Sequence, residues 1–173
     1  MKNEDFATTI VVDATAQKVF DAVNNVRGWW SENIEGDTDR TNGEFEYHYE
    51  DVHRVKMQIT EFVPNQRIVW HVLDNYFKFT KDKTEWIDTD VIFEIAPKGD
   101  ETELKFTHKG LVPAYECYNV CHDAWTHYVQ DSLKDLIIGG TGKATPAAQE
   151  NESAEGPSSD KEDSPAITAA KSI

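Results

Sequence analysis

The feature that most constrains this chain is a series of alternating apolar and polar segments followed by one long helical pattern. Between residues 44 and 109 the alternation has a period of two, which is typical of strands with one buried face. It runs through residues 45–49, 55–59, 89–95 and 104–108, whereas residues 67–73 are more continuously apolar. Short turn sequences separate these segments. The pattern predicts an antiparallel meander with one solvent-facing side.

Charged residues on two neighbouring predicted strands indicate how those strands pair. Glu44 and Glu46 lie on the polar face of the first strand, and Arg54 and Lys56 lie on the polar face of the next. Opposite charges placed across an antiparallel pair stabilise it, and like charges destabilise it. We therefore expect the acidic face to lie against the basic one, with turns at residues 64–65 and 97–100.

Helical patterns lie on both sides of this meander. A β-branched strand at residues 8–12 leads into capping residues 13–15 and a helix, which breaks at residues 27–31, where Trp29 and Trp30 are adjacent. At least one of these indoles should be buried. The final helix is predicted over residues 115–138, before Gly139. Its aromatic face follows steps of three or four residues through Tyr118, Cys121, Trp125, Tyr128, Ser132 and Leu136.

This order of elements predicts an α+β domain. A sheet with one apolar face and a single long helix bury both apolar surfaces when the sheet curls around the helix. A curved sheet stands off from a straight helix in the middle, so a pocket is expected between them.

Composition divides the 173 residues into a domain and a tail. We predict a folded domain over residues 1–140 and a disordered acidic tail, rich in Gly, Ala, Pro and Ser, over residues 141–173. The tail has almost no large apolar residue before Ile173. Residues 144–173 carry a formal charge of −4, which leaves −11 of the total −15 on the rest of the chain.

Charge and hydropathy exclude several classes of partner. A net charge of −15 repels phosphate backbones, so no nucleic-acid partner is expected. The chain has no apolar run of about 18 residues, so no membrane insertion is expected either. The polar, acidic N-terminus lacks the layout of a secretion signal, which favours a cytoplasmic protein. Cys117 and Cys121 are expected to be reduced.

Several segments together resemble a known superfamily. They are Gly28-Trp29-Trp30-Ser31, the strand at 43–47, residues 61–70, the hairpin from 93–95 into 104–110, and the final helix with Trp125. Over about residues 5–140 the chain resembles the START-like (SRPBCC, helix-grip) superfamily, and within it the bacterial branch that is homologous to the activator of heat-shock-protein ATPase. The resemblance implies a curved antiparallel sheet of six or seven strands wrapped around a long C-terminal helix. Relatives bind lipids, sterols, polyketides or plant hormones, some are cyclases or dehydratases, and the eukaryotic namesake stimulates a chaperone ATPase in the stress response.

Aromatic residues are the candidates for the wall of the expected pocket. Ordinary core packing is the alternative for each of them, but as a set they favour a cavity that stacks on a flat or apolar molecule. His108, His122 and Tyr118 are the candidate polar anchors. The predicted ligand-binding residues are Trp30, Phe45, Tyr47, Met57, Trp70, Trp86, Phe93, His108, Tyr118, His122, Trp125 and Tyr128.

Other chemistry has weaker support in the sequence. Cys117 and Cys121, with His108, could contribute to a metal site, and His122 could activate a cysteine, but buried reduced thiols explain the spacing more simply. His71 and His108 are candidates for acid–base groups. No phosphate-binding loop, dinucleotide fingerprint or nucleophile elbow is present. We therefore predict no catalytic residue, no metal and no cofactor.

The leading hypothesis is a non-catalytic domain that binds a small hydrophobic or aromatic molecule between the sheet and the last helix. One alternative is an interaction module for a chaperone or another protein. A second is a cyclase or dehydratase acting on a polyketide-like substrate in the same cavity.

Overall fold

The protein folds around one antiparallel sheet of seven strands. The structure is a computed structural model that describes residues 4–146. The strands lie in the order β1-β7-β6-β5-β4-β3-β2, and every neighbouring pair is antiparallel. Their bounds are β1 Phe6–Val12, β2 Ile34–Gly36, β3 Glu44–Tyr49, β4 His53–Val63, β5 Arg67–Phe77, β6 Asp90–Lys98 and β7 Glu101–Lys109.

The helices confirm the predicted α+β order, and the last helix differs from the prediction in its start and in its winding. Two helices, α1 Ala16–Asn24 and α2 Val26–Trp29, precede the meander. The last helix runs from Tyr118 to Gly139, as α3 Tyr118–Thr126, a π-helical segment His127–Leu133 and α4 Lys134–Gly139. The sequence predicted an uninterrupted α-helix that begins three residues earlier. The fold is therefore the expected sheet with a C-terminal helix, and the π-helical segment and the short strand β2 were not foreseen.

Cross-strand charge pairing between β3 and β4 is confirmed. Glu46 lies opposite Lys56 in the register, and Lys56 Nζ lies 3.4 Å from a carboxylate oxygen of Glu44. Arg54 Nε lies 3.7 Å from Glu46. These side chains are about half exposed, so each ion pair contributes little stability. Their main effect is to disfavour other registers.

The short edge strand β2 is protected by a side chain. The guanidinium of Arg27 donates to the carbonyl oxygens of Ile34 and Gly36, at 2.9 and 3.1 Å. These bonds occupy groups that an edge strand otherwise presents to other chains. Gly36 has φ of +118°, and a Cβ there would lie 2.3 Å from the Glu44 carbonyl oxygen. Only glycine fits this position without a shift of the backbone.

Both adjacent indoles on and after α2 are fully buried. Trp29 points toward α1, where its Nε1 donates to the Val23 carbonyl at 3.0 Å. Trp30 points toward β3 and stacks on Tyr47 with ring centroids 4.4 Å apart. The short helix α2 therefore inserts one indole between α1 and the sheet and the other between the sheet and the last helix.

A buried carboxylate joins the loop after β5 to the start of the last helix. Glu85 accepts hydrogen bonds from the backbone N–H groups of Glu116, at 2.7 Å, and Cys117, at 3.1 Å. Glu116 in turn accepts from the backbone N–H groups of Lys81 and Asp82. A carboxylate at this place satisfies donors at a helix N-terminus and interacts favourably with the helix dipole.

We expect Glu85→Gln to lower the free energy of unfolding by about 2 kcal/mol, because one charged acceptor is replaced by an amide with a single carbonyl oxygen. Urea denaturation measures the change. Glu116→Gln, at an exposed position on the same link, is the matched control and should lose less than half as much. Equal losses at the two positions would show that the burial of Glu85 has no special role.

The backbone after the last helix returns to the domain. Thr145 forms a parallel bridge with Ser31, donates its N–H to the Trp30 carbonyl at 3.1 Å and accepts from the Glu32 N–H at 2.9 Å. We call residues 140–146 the C-terminal strap. The first six residues of the predicted tail therefore lie on the domain, and the rest of that prediction falls outside the described residues. Within residues 4–146 no helix is both long and apolar enough to cross a bilayer.

Candidate functional site

The side chains between the sheet and the last helix form one continuous group of mostly aromatic residues, which we call the interior cluster. None of them is more than 2% exposed. The rings contact one another from Trp30 through Trp125 to Trp86, with centroid separations of 5.2 and 5.9 Å, so they occupy the space where the sequence analysis expected an open pocket. The members are Trp30, Phe45, Tyr47, His53, Met57, Trp70, Phe77, Trp86, Phe93, Phe106, His108 and Trp125.

Strand alternation places most of these residues. The inward positions of β3 to β7 supply the sheet side of the cluster, because successive residues of a strand point to opposite faces. Trp125 supplies the helix side and reaches the sheet at Phe106, with ring centroids 4.7 Å apart. Trp86 comes from the loop between β5 and β6, where Thr89 donates to its carbonyl at 2.6 Å. The cluster therefore joins the sheet, one loop and the last helix.

The π-helical segment lies where the last helix meets the C-terminal strap. The hydroxyl of Ser132 donates to the Trp29 carbonyl at 2.7 Å and accepts from the Lys143 N–H at 2.6 Å. The hydroxyls of Tyr128 and Thr145 are 2.8 Å apart. Segments of π-helix are uncommon and are frequently found at functional sites. The strap and this segment together close one end of the interior cluster.

Several buried nitrogen atoms of the interior cluster have no hydrogen-bond partner among the described residues. They are Nε1 of Trp30, Trp70 and Trp86, and both ring nitrogens of His53. Leaving a buried donor or acceptor unsatisfied costs about 1–3 kcal/mol. Native proteins retain few such groups, and each one calls for a structural or functional reason. Five of them in a single cluster mark it as the candidate binding site.

His108, by contrast, has both ring nitrogens occupied. The hydroxyl of Thr89 is used as a donor to the Trp86 carbonyl, so His108 Nε2 donates to that hydroxyl at 2.8 Å. Its Nδ1 then accepts from Trp125 Nε1 at 3.1 Å. Burial lowers the pKa of His108 to about 3, so the ring is neutral. His108 positions Trp125 and Thr89, and these contacts occupy both of its ring nitrogens.

The predicted ligand-binding residues did not include three members of the cluster, Phe77, Phe106 and His53, and His53 is the polar one among them. Its ring stacks on Phe77 at 4.4 Å and meets Tyr47 and Trp86 edge-on at 5.2 and 4.9 Å. Burial lowers the pKa of His53 to about 3, with a smaller contribution from His108. The sequence pattern could have indicated its position, because His53 lies two residues before Val55 and therefore on the same inward face of β4.

The structure brings ten of the twelve predicted ligand-binding residues into the core. Nine of them belong to the interior cluster, and Tyr128 adjoins it at the strap. Tyr118 is partly buried at the edge of the core. His122 has a 45% exposed side chain, lies 3.1 Å from Asp123 and packs against Phe6. The two positions at the start of the last helix are therefore outside the cluster.

The residues considered for acid–base chemistry or metal binding do not lie together in one site. His71 lies on the outer face of the sheet, with Nδ1 2.7 Å from Asp90 and Nε2 3.4 Å from Asp88. The hydrogen bond with Asp90 raises its pKa. Cys117 and Cys121 are free and buried, and burial raises the pKa of Cys121, so its thiol is protonated. In the part of the chain that the structure describes, no three His, Cys, Asp or Glu side chains are grouped to hold a metal.

A pocket of about 270 Å³ opens at the hairpin between β3 and β4, and we call it the hairpin pocket. Arg54 lies on one wall, with its guanidinium carbon 5.7 Å from the centroid of the Tyr76 ring. Asp51 is paired with Lys78 Nζ at 2.8 Å. The lining residues are His48, Glu50, Asp51, His53, Arg54 and Tyr76. His53 thus belongs both to this pocket and to the interior cluster.

Comparison with known proteins places the chain in a family. The model of the family described as activator of Hsp90 ATPase homolog 1-like protein matches residues 13–137. No curated protein matches the chain.

Solved structures share the fold at low sequence identity. The Aha1 dimer from Colwellia psychrerythraea is 19% identical, covers 80% of this chain and 99% of its own, and has a TM-score of 0.65. The protein SSP2350 from Staphylococcus saprophyticus is 17% identical, with coverages of 83% and 98% and a TM-score of 0.61. DynU16, a protein in the dynemicin biosynthetic locus, is 14% identical, with a TM-score of 0.60; the match covers 81% of this chain and 49% of DynU16. At these identities the likeness shows the fold alone.

Proposed function

The chain belongs to the family of activator of Hsp90 ATPase homolog 1-like proteins, and from this premise we propose that it is a non-catalytic domain that binds a small hydrophobic or aromatic molecule between its sheet and its last helix. The observation that carries the proposal is the set of unpaired buried nitrogens in the interior cluster. Aromatic rings supply a large apolar contact area, and the few polar groups among them orient a ligand.

The chemistry of the three indoles indicates what the ligand carries. An indole nitrogen is only a donor, so Trp30 and Trp70 each offer an N–H to an acceptor, while the Trp86 N–H lies near the Cys121 sulfur, a weak acceptor. The ligand class is therefore a flat apolar molecule with at least one carbonyl or ether oxygen. Charged ligands are disfavoured, since the cluster offers no opposite charge and burial of an unpaired ion is costly.

Binding requires movement within the domain. The rings of the cluster already contact one another, for example Trp30 and Trp70 at 6.0 Å, so a ligand that enters between them displaces them. The C-terminal strap is held near this place by the Thr145 backbone and by Ser132. Release of the strap would separate the last helix from α2 and expose the indole of Trp30.

We expect the protein to bind 2-acetylnaphthalene, a flat probe with one carbonyl acceptor, at a ratio of one to one. Trp30→Phe keeps the stack on Tyr47 and removes the N–H, so its affinity should fall about tenfold. Leu73→Ser, at an exposed position on the outer face of β5, is the control and should leave the affinity unchanged. Quenching of tryptophan fluorescence measures the binding, and native mass spectrometry of the purified protein detects a retained ligand. The proposal fails if the titration does not saturate and no ligand is retained.

Association with a chaperone or another protein is the second candidate. The charge of −11 outside residues 144–173 favours a partner with a basic surface. The acids of β3, however, are already paired with Arg54 and Lys56. A cyclase or dehydratase activity has less support, because His71 and His108 lie on opposite faces of the sheet and His108 is fully hydrogen-bonded.

A further inference from the structure

The unpaired atoms of the interior cluster are not chemically equivalent. The three indoles contribute donors only. A neutral imidazole has one N–H and one nitrogen with a free lone pair, so His53 contributes one donor and one acceptor. Within the described part of the cluster, that second nitrogen of His53 is the one unpaired acceptor. A ligand that satisfies it must carry a donor.

The surroundings of His53 keep it neutral and hold its ring in place. Phe77 stacks on one face, while Tyr47 and Trp86 meet it edge-on. No carboxylate is hydrogen-bonded to either ring nitrogen. The other histidine of the cluster, His108, is neutral and is used by Thr89 and Trp125. The free nitrogen of His53 is therefore available to accept from a neutral donor rather than to pair with an acid.

The hairpin pocket borders the same residue, whose ring nitrogens are buried. It has a volume of about 270 Å³ and includes His53 among its lining residues. The remaining walls come from the β3–β4 hairpin and from Tyr76 on β5. The backbone around the pocket includes Glu50, whose φ of +48° is unusual for a residue with a side chain. His53 therefore lies between the hairpin pocket and the rest of the interior cluster.

We propose that His53 is a ligand-recognition residue that accepts a hydrogen bond from a hydroxyl group of the bound molecule, which makes the ligand an aromatic alcohol or phenol. The proposal deepens the proposed function and rests on it. The indole N–H groups hold an oxygen acceptor, and His53 selects molecules that also carry a donor. A site built to pair with a hydroxyl rejects the analogue without it, because its own polar atom is then left unpaired.

The test compares two probes of nearly equal shape, 2-naphthol and 2-methylnaphthalene. The methyl compound is the more apolar, so without hydroxyl recognition it binds at least as tightly. We expect the wild-type protein to bind 2-naphthol about tenfold more tightly than 2-methylnaphthalene. In His53→Phe the preference should fall below threefold, because only the indole N–H groups then pair with the naphthol oxygen, while the affinity for 2-methylnaphthalene is kept. His122→Phe, on the surface of the last helix, is the matched control and should keep the tenfold preference.

A spectroscopic measurement on the wild-type protein keeps the test independent of the variants' folding. The ring ¹⁵N resonances of His53 should shift when 2-naphthol is added and stay in place with 2-methylnaphthalene. If both probes bind without a preference, or the preference stays tenfold in His53→Phe, or the ¹⁵N resonances do not respond, the role of His53 is overturned and the proposed function stands. If neither probe nor 2-acetylnaphthalene binds, the proposed function itself fails.

Discussion

Trp125→Ala is expected to lower the free energy of unfolding by about 3–5 kcal/mol, because it removes a large buried side chain and leaves a cavity. The indole is 2% exposed and lies against Trp30 and Phe106. It also donates to His108 Nδ1, which would be left without a donor. Urea denaturation followed by far-ultraviolet circular dichroism measures the change.

Two further variants separate packing from hydrogen bonding. Trp125→Phe keeps a ring in the cluster and removes the N–H, so its loss should be less than half that of the alanine variant. Ile138→Ala changes a 53% exposed position on the same helix and should alter stability by no more than about 0.5 kcal/mol. A loss below 1 kcal/mol for Trp125→Ala would contradict the packing of the sheet around this residue.

Acidification is expected to lower the free energy of unfolding by about 5 kcal/mol between pH 6.5 and 4.5 through two buried histidines alone. His53 and His108 have pKa values of about 3 in the folded protein, against about 6.5 in the unfolded chain. The unfolded chain therefore binds more protons throughout the range from pH 6.5 to 3. Each histidine then lowers the free energy of unfolding by about 1.4 kcal/mol for every pH unit of acidification, and this decrease ends near pH 3.

His53→Phe isolates one of these two contributions. The variant removes one titrating group and keeps a ring stacked on Phe77, so the acid loss from the histidines should fall by about half. His71 acts in the opposite direction, because its pKa is raised and its stabilising effect is lost as the pH rises. His71 is present in both proteins, so its contribution cancels when their acid sensitivities are subtracted. Denaturation at pH 6.5 and 4.5 gives the difference, and equal acid sensitivity of the two proteins would show that His53 is protonated in the folded state.

Local patterns predicted most of the fold. Alternation with a period of two located β3, β4, β6 and β7 within a few residues, because each strand is long enough to show its phase. The acidic and basic faces of β3 and β4 predicted their pairing, which the ion pairs of Glu44 and Glu46 confirm. Strand β2 was missed, because three residues are too few to show a period. The hydrogen bonds that cover its free edge come from Arg27 on α2, which is distant from any strand pattern.

The elements that close the interior were harder to predict. A face that recurs every three or four residues is compatible with α-helix and does not reveal the π-helical segment at residues 127–133. The strap has the composition of a flexible tail, yet Thr145 is held by backbone hydrogen bonds to Trp30 and Glu32. Backbone bonds of this kind leave no mark in side-chain composition.

By itself, the sequence determined the α+β class, the family resemblance and the aromatic character of the interior, because these follow from the spacing of apolar residues along the chain. Only the tertiary structure decided which buried polar groups are satisfied. His108 is paired because Thr89 and Trp125, 19 and 17 residues away, come within hydrogen-bond distance of its ring. His53 is buried among rings that offer its nitrogens no partner. Both histidines occupy inward positions on strands, and the difference between them arises from contacts that form only when the sheet, the loop with Trp86 and the last helix are brought together.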